Sequence, residues 1–392
     1  MLVSSILFII ACNSKKINKD AYNGSARTEN YSAESLPKPN ATKSVTNFSR
    51  VIGWNGQTPK APEGFTVTKF ADSLDHPRWI YVLPNGDVLV AESNTILTGI
   101  KKIGAKLSRK ISTQGYGESA NRITLFRDGN KDGVPESRSV FLENLNQPLG
   151  MLLLNNHFYV ANTDGLLQYD YTPGATQITS AGKKIVNLPA GGYNNHWTRN
   201  IISNKEGTKI YISVGSGSNN AENGMEHELR RANILEVNLD GSGESILAGG
   251  LRNPVGMDIE PFSNALWTVV NERDELGDEL VPDYLTSVKR GGFYGWPYAY
   301  FGANEDPRLK GKRNDLVRKT IVPDVALGAH TASLGLIFYT GNSFPQKYKG
   351  GAFIAQHGSW NRSVLSGYKV VFVPFKNGIP SGKPEDFLMG FV

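Results

Sequence analysis

The sequence predicts an all-β protein, a β-propeller, on three observations. A strand–turn–strand pattern returns along the chain, at Pro77–Glu92, Pro148–Ala161, Trp197–Val214, Arg252–Val270 and Ser333–Ala355. Each unit pairs a half-buried strand, a polar turn and a second apolar strand, and several are followed by a further strand, as at Ile234–Val237 or Tyr368–Val373. The 42 glycines and the 10% of aromatic residues suit many short strands joined by tight turns. Helical periodicity is poor almost everywhere. Four-stranded repeats of roughly 40–50 residues define propeller blades. The uneven spacing implies long insertions in some blades. A β-sandwich with appended domains is the alternative architecture.

Residues 1–12 read as a lipoprotein-type signal. The apolar run Met1–Ala11 ends in a small residue before Cys12, the single cysteine. This is similar to bacterial lipoprotein signals, in which that cysteine is lipidated, although the usual basic start is absent. The expected location is the cell envelope, as a periplasmic or outer-membrane lipoprotein, with the membrane reached through an N-terminal lipid anchor. One cysteine permits no internal disulfide. Residues 13–60 are rich in Asn, Ser, Lys and Thr and read as a flexible tether. The propeller domain then occupies 61–392. Five units are countable before the chain reaches Phe391-Val392, so contact between first and last blade is expected to be weak. Thr66-Val67-Thr68 and its neighbours are candidates for supplying part of the closure.

The net charge of +6 is spread without a long basic run. That favours acidic small molecules or envelope surfaces as partners and gives no basis for a nucleic-acid partner. No stretch past the N-terminus is apolar enough to span a membrane.

One candidate site stands out. Gly191–Arg199 contains Asn194-Asn195-His196, and Val214–Asn220 is a Gly/Ser/Asn loop that follows the strand Lys209–Val214. A histidine before one strand and a polar loop after the next meet at one end of a sheet. A titratable base then lies beside amide donors, as proton abstraction requires. The same pattern also fits a histidine that caps a turn. The acidic stretch Glu272–Glu279 reads as a calcium loop, since calcium takes hard oxygens including main-chain carbonyls, or as a solvated acidic loop. Asp128–Gly133 copies the start of an EF-hand loop, but Ser139 stands at its twelfth position and no helices flank it; a plain turn fits better.

In order along the chain, Asn195-His196, Val214–Asn220, Leu251–Asp258 with its Arg-Asn-Pro, Asn271–Leu280 with its Asp-Glu pairs, and Gly291–Pro297 resemble the soluble quinoprotein glucose/sorbosone dehydrogenases, the sorbosone branch most closely. The resemblance covers about residues 60–392. It implies a six-bladed propeller of the quinoprotein glucose dehydrogenase type, here with its last blade incomplete, that binds pyrroloquinoline quinone (PQQ) and calcium. It implies oxidation of an aldose or related sugar aldehyde, with electrons passing to an external acceptor. By the same resemblance His196 is the general base, and Asn220, Asn219, Gln147, Thr331 and Arg362 face the cofactor. The carbonyls of Arg273 and Asp274 hold one calcium, and Glu279 with Tyr294 a second. Asn219 stands where the family has an arginine, which removes a cation from the quinone oxygens. The family's last-blade arginine, partner of PQQ carboxylates, has no counterpart. His330 and His357 fall near expected strand ends, as structural or functional residues. Two other functions stay open: a calcium-dependent, lactonase-like hydrolase, and a non-enzymatic propeller that binds glycans or proteins. The fold alone does not choose among them.

Overall fold

The strand Lys209–Val214 shows how the chain assembles. Ile210, Ile212 and Val214 are fully buried on one side, while Tyr211 turns to the other. This two-residue alternation gives every sheet two apolar faces, so sheets stack face to face. The computed structural model describes residues 32–33, 35–47, 53–96 and 118–392.

Five four-stranded antiparallel blades result. Blade 1 holds β1–β4 (Pro77–Val82, Val88–Glu92, Arg122–Arg127, Ser137–Leu142) and blade 2 β5–β8 (Met151–Leu154, His157–Asn162, Gly165–Asp170, Lys183–Asn187). Blade 3 holds β9–β12 (Arg199–Ser203, Lys209–Val214, Asn233–Asn238, Ser245–Gly249). Blade 4 begins with β13–β15 (Pro254–Ile259, Leu266–Val270, Pro282–Ser287). An insertion follows, in which β16 (Gly292–Phe293) adds a parallel strand to the outer edge of β12 and β17–β18 (Ala299–Tyr300, Asn304–Glu305) form a hairpin. Blade 4 closes with β19 (Val325–Ala329). Blade 5 holds β20–β22 (Ser333–Phe338, Ala352–Gln356, Lys369–Val373), a hairpin β23–β24 (Phe375–Lys376, Ile379–Pro380) and β25 (Glu385–Leu388). Among the described residues the only α-helix is the single turn Asn314–Val317. The β-sandwich is thereby set aside, and the irregular repeat spacing has its cause in insertions such as 288–324.

The six-blade expectation is corrected to five. The fifth blade is whole, since β25 pairs with β22, so the last blade present is not the incomplete one expected. Apolar cores lie between blades 1 and 2, 2 and 3, 3 and 4, and 4 and 5. None among the described residues joins blade 5 to blade 1. Instead Ile80 and Val82 on β1 and Ile337 on β20 are left exposed. A single stretch of chain spans this seam. Lys60 bridges Met389, Phe65 packs edge-on against Phe344, Tyr348 and Phe387 of blade 5, and Phe70 meets Phe126 of blade 1. The carbonyls of Asp72 and Ser73 accept from Arg138, also on blade 1.

Cys12 and the signal lie outside the described residues. Part of the expected tether is docked rather than free. Asn40 N donates to Leu276 O at 2.8 Å, Asp278 N to Thr42 Oγ1 at 2.7 Å, and Asn47 N to Trp360 O at 2.7 Å. These bonds, two between backbone groups and one through the Thr42 hydroxyl, strap residues 40–47 across loops of blades 4 and 5 and satisfy loop backbone groups that no sheet pairs.

Candidate active site at one end of the propeller

The first strand of each blade lies innermost, and all five begin at the same end of the ring. The loops joining second to third strands return to that end, as do the connections that lead from one blade into the first strand of the next. Gln147, His196, Asn219, Asn220, Arg273, Asp274, Glu279, Thr331 and Arg362 all lie in such connections, so topology gathers them although they span over 200 positions of sequence. Tyr294 behaves differently. Its hydroxyl donates to Ser287 O at 2.6 Å and accepts from Lys289 N at 3.0 Å, at the far end of β15 from Glu279. The structure does not pair Tyr294 with Glu279, because the tyrosine's local backbone partners take its hydroxyl.

His196 Nδ1 lies 2.9 Å from both Ser216 O and Ser216 Oγ. The hydroxyl gives its hydrogen to Ser218 O at 2.6 Å, and a carbonyl only accepts. Nδ1 therefore carries the ring hydrogen and Nε2 the lone pair. Burial pushes the imidazole well below its ordinary value, and the positive charges of Arg252, Arg199 and Arg231 add to this against the Ser216 hydrogen bond. The ring is neutral at pH 7, with Nε2 as acceptor. Gly215 makes the arrangement possible: a Cβ there would lie 2.3 Å from Asn253 Oδ1 and 2.6 Å from His196 Cβ.

A cation does stand at Asn219, supplied by a residue from the next blade. Arg252, only 2% exposed, donates from Nη2 to Asn219 Oδ1 at 2.8 Å and from Nε to Asn219 O at 3.0 Å. Its Nη1 reaches Glu272 O at 2.6 Å and Asn271 O at 3.0 Å, and Nη2 pairs with Asp274 Oδ2 at 3.4 Å. The expected loss of positive charge at Asn219 is therefore corrected, although the hydrogens of Arg252 are already engaged. Asn220 is buried with Oδ1 unpartnered, and Asn253 Oδ1 is likewise orphaned. Gln147 is buried with φ at 48° and donates to Asn94 O at 2.8 Å. Thr331 Oγ1 donates to Asp283 Oδ2 at 2.9 Å.

The expected calcium ligands are largely engaged by cations. Asp274 O accepts from Arg273 Nε at 2.9 Å, and Glu279 Oε1 pairs with Arg362 Nη2 at 2.7 Å. His330 donates to Asp274 Oδ1 at 3.0 Å and Gly277 O at 2.9 Å. Burial opposes its charge, but the bonds to Asp274 and Gly277 prevail and raise it above the ordinary histidine value. Among the described residues, no group of three or more His, Cys, Asp or Glu is arranged to hold a metal. The Asp128 loop is tied internally, with Gly133 N on Asp128 Oδ2 at 2.8 Å and Val134 N on Asp132 Oδ1 at 2.8 Å, as a turn requires.

Three arginines escaped the sequence reading as site residues. Arg78, at the start of β1, lies over the Trp197 ring at 5.2 Å and donates from Nε to Ser93 O at 2.9 Å. Its terminal nitrogens have no hydrogen-bond partner among the described residues. His357 lies close enough that Arg78, after burial, depresses its pKa. Arg199 and Arg231 lie behind the His196 loop. The missed signal is positional for two of them: Arg78 and Arg199 each stand at the beginning of the first strand of a blade, whereas Arg231 lies before a third strand.

Glu272 has a measurable consequence. Its carboxyl is buried, Oε1 is unpartnered beside the equally unpartnered Tyr284 hydroxyl, and burial raises its pKa from 4.5 to about 7 despite Arg252. The folded chain thus keeps a proton that the unfolded chain releases near 4.5. This contribution to stability is complete below that value and is lost as pH rises through about 7. Glu272→Gln is expected to leave stability unchanged near pH 4 and to raise it by up to ~3 kcal/mol above pH 7. Urea titrations at both pH values check this; an equal effect at both would remove the buried proton from the account.

A family profile described as TrAA12-like matches residues 59–283 and 302–387. The chain belongs to this family. It is 29% identical over 350 residues to an uncharacterized protein of Borreliella burgdorferi, covering 86% of this chain and 82% of that one. It is 26% identical over 364 residues to the pyrroloquinoline quinone-dependent pyranose dehydrogenase of Coprinopsis cinerea, covering 79% of this chain and 44% of that protein, so it spans less than half of that relative's length. The solved PQQ domain of a Coprinopsis cinerea pyranose dehydrogenase superposes with a TM-score of 0.67 at 20% identity, covering 84% of this chain and 86% of that one. A calcium structure of a Trichoderma reesei family AA12 enzyme gives 0.68 at 17% identity, covering 85% and 87%. The propeller fold is thus shared, and the quinoprotein resemblance read from the motifs holds. The sorbosone branch is not distinguished by these likenesses.

Proposed function

We propose that this TrAA12-like protein is a PQQ-dependent dehydrogenase of sugars, oxidising an aldose or related sugar aldehyde and passing electrons to an external acceptor. The observation that carries this reading is His196: neutral, with Nδ1–H fixed on Ser216 O and an Nε2 lone pair, at the ring end where Arg78 presents unpartnered guanidinium nitrogens. The residues fit a tricarboxylate quinone. Arg78 would take a carboxylate, guanidinium being its natural partner, and the orphaned Asn220 and Asn253 amides would face its polar edge. Bound PQQ would supply the hydride acceptor. His196 Nε2 takes the hydroxyl proton of the sugar, and the charges of Arg252, Arg199 and Arg231 favour negative charge beside it.

The calcium donors fit less well. Asp274 O is taken by Arg273 Nε and Glu279 by Arg362, so no step is assigned to calcium; an ion at the Arg273 and Asp274 carbonyls would first displace the Arg273 side chain. The lactonase-like alternative needs carboxylates from several blades around one metal, and the described residues offer no such group. The envelope location and lipid anchor at Cys12 belong to this proposal on the sequence alone, and membrane fractionation of the full chain checks them.

Reconstitution tests the function. Full-length protein given PQQ, with and without calcium, is expected to change the quinone absorbance and to reduce a dye when an aldose is added. Quinone binding without turnover on any sugar would favour the binding-module reading, and no binding at all would overturn the proposal.

A further inference from the structure

Behind the His196 loop lies an arrangement that the proposed chemistry does not use directly. Arg199 is fully buried at 0% exposure, yet no carboxylate pairs with it among the described residues. Its Nη1 donates to His196 O at 2.6 Å and Thr198 O at 2.9 Å, and its Nη2 to Pro189 O at 2.7 Å and Asn194 Oδ1 at 2.9 Å. Every acceptor is neutral. Arg231 donates from Nη1 to the same Asn194 oxygen at 2.7 Å. The Asn194 amide nitrogen donates to Thr163 Oγ1 of blade 2 at 3.0 Å, which anchors the group to the neighbouring blade. The buried carboxylate of Glu228 accepts from Gly217 N at 2.7 Å and Ser218 Oγ at 2.5 Å, and acts on Arg231 only through space.

Two guanidiniums buried on one amide oxygen are expensive to fold around, since a buried charge normally requires a counter-ion. An aspartate at 194 would have supplied one at no change in shape. We propose that Arg199, Arg231 and Asn194 form a positioning unit for His196, in which the amide joins the two cations without neutralising them and Arg199 grips the carbonyls of the loop from which the imidazole projects. This rests on the reading of His196 as the base. Two effects follow. The grip on Pro189, His196 and Thr198 fixes the imidazole over Ser216. The unneutralised charge, together with Arg252 from blade 4, keeps a proton off the ring and favours an anion beside it.

Asn194→Asp tests the unit with little risk to folding, because it keeps the acceptor, adds the missing counter-charge, and replaces the amide's donation to Thr163 Oγ1 with one that the threonine hydroxyl itself can make. In the full-length protein without added quinone, the His196 Cε1 resonance followed by NMR is expected to titrate below the ordinary histidine range. In Asn194→Asp its midpoint is expected to rise by roughly one pH unit. In quinone-loaded protein the acid limb of kcat/KM should move the same way. Arg199→Lys keeps the charge but loses the planar fork. It should leave the His196 midpoint in place while lowering kcat roughly tenfold or more, with KM little changed. An Asn194→Asp midpoint identical to wild type overturns the electrostatic half, and an Arg199→Lys enzyme with full kcat overturns the positioning half. Titrations that shift as expected in a protein that oxidises no sugar would uphold the unit and remove the sugar-oxidation reading instead.

Discussion

His196→Ala should lower turnover of the PQQ-loaded protein by roughly two to four orders of magnitude, the range of a positioned general base. The expectation follows from the tautomer. Nδ1 is fixed as donor by Ser216 O, so Nε2 is the only ring atom able to accept a proton. Alanine removes that acceptor and leaves the arginines in place, so quinone binding, read from its absorbance, should persist. His196→Asn preserves a polar contact but not basicity, and should fall almost as far. Because the imidazole titrates well below its ordinary value, wild-type activity should also hold to mildly acidic pH before it declines. Unchanged turnover in His196→Ala would return this residue to the capping of a turn.

Arg252→Ala is expected to be the most damaging single change to stability. The side chain is 2% exposed and serves Asn219 O, Asn219 Oδ1, Asn271 O, Glu272 O and Asp274 Oδ2. Truncation strands the carbonyls of Asn271 and Glu272, leaves Asn219 O with Trp296 Nε1 alone, and leaves Asp274 with only His330 as a charged partner. Removing one partner of a buried pair costs about 3–5 kcal/mol. The melting temperature should drop by on the order of 10 °C. Arg252→Lys retains charge without the fork and should recover only part of this. A variant that melts within a degree or two of wild type would show that water satisfies these carbonyls.

The blades were legible in the sequence because their physics is local. Residues such as Ile210, Ile212 and Val214 alternate with polar or half-buried neighbours, and that period alone specifies a two-faced strand. His196 was legible for a similar reason: it sits between a Gly-rich turn and an inner strand. The sixth blade was a matter of family likeness, and the local count of five units was the better guide. The arginines were not legible. Arg199, Arg231 and Arg252 are separated by tens of residues, and only the packing of blades 3 and 4 brings their charges toward His196, while Arg78 of blade 1 acts on His357. Tyr294 misled for the opposite reason, since its hydroxyl is satisfied by Ser287 and Lys289, close in sequence and remote from Glu279. The strap at 40–47 was hidden by composition, because polar short residues serve equally in a free linker and in a docked one.

The seam between blades 5 and 1 changes how the described blades share their load. In a closed ring every blade has two neighbours, and no blade can leave without breaking two interfaces. Here the described blades form an open row with four interfaces, and its two terminal members are each held by one. Such a row behaves as a one-dimensional array, in which loss of structure begins at an end and propagates inward. The stretch from Lys60 to Ser73 acts as a drawstring between the two ends rather than as a wall. Arg78 and His357 stand on opposite sides of that opening, whereas His196 sits in the interior of the row. Breathing of the ends would therefore vary the spacing of the groups that grip a ligand while leaving the base undisturbed.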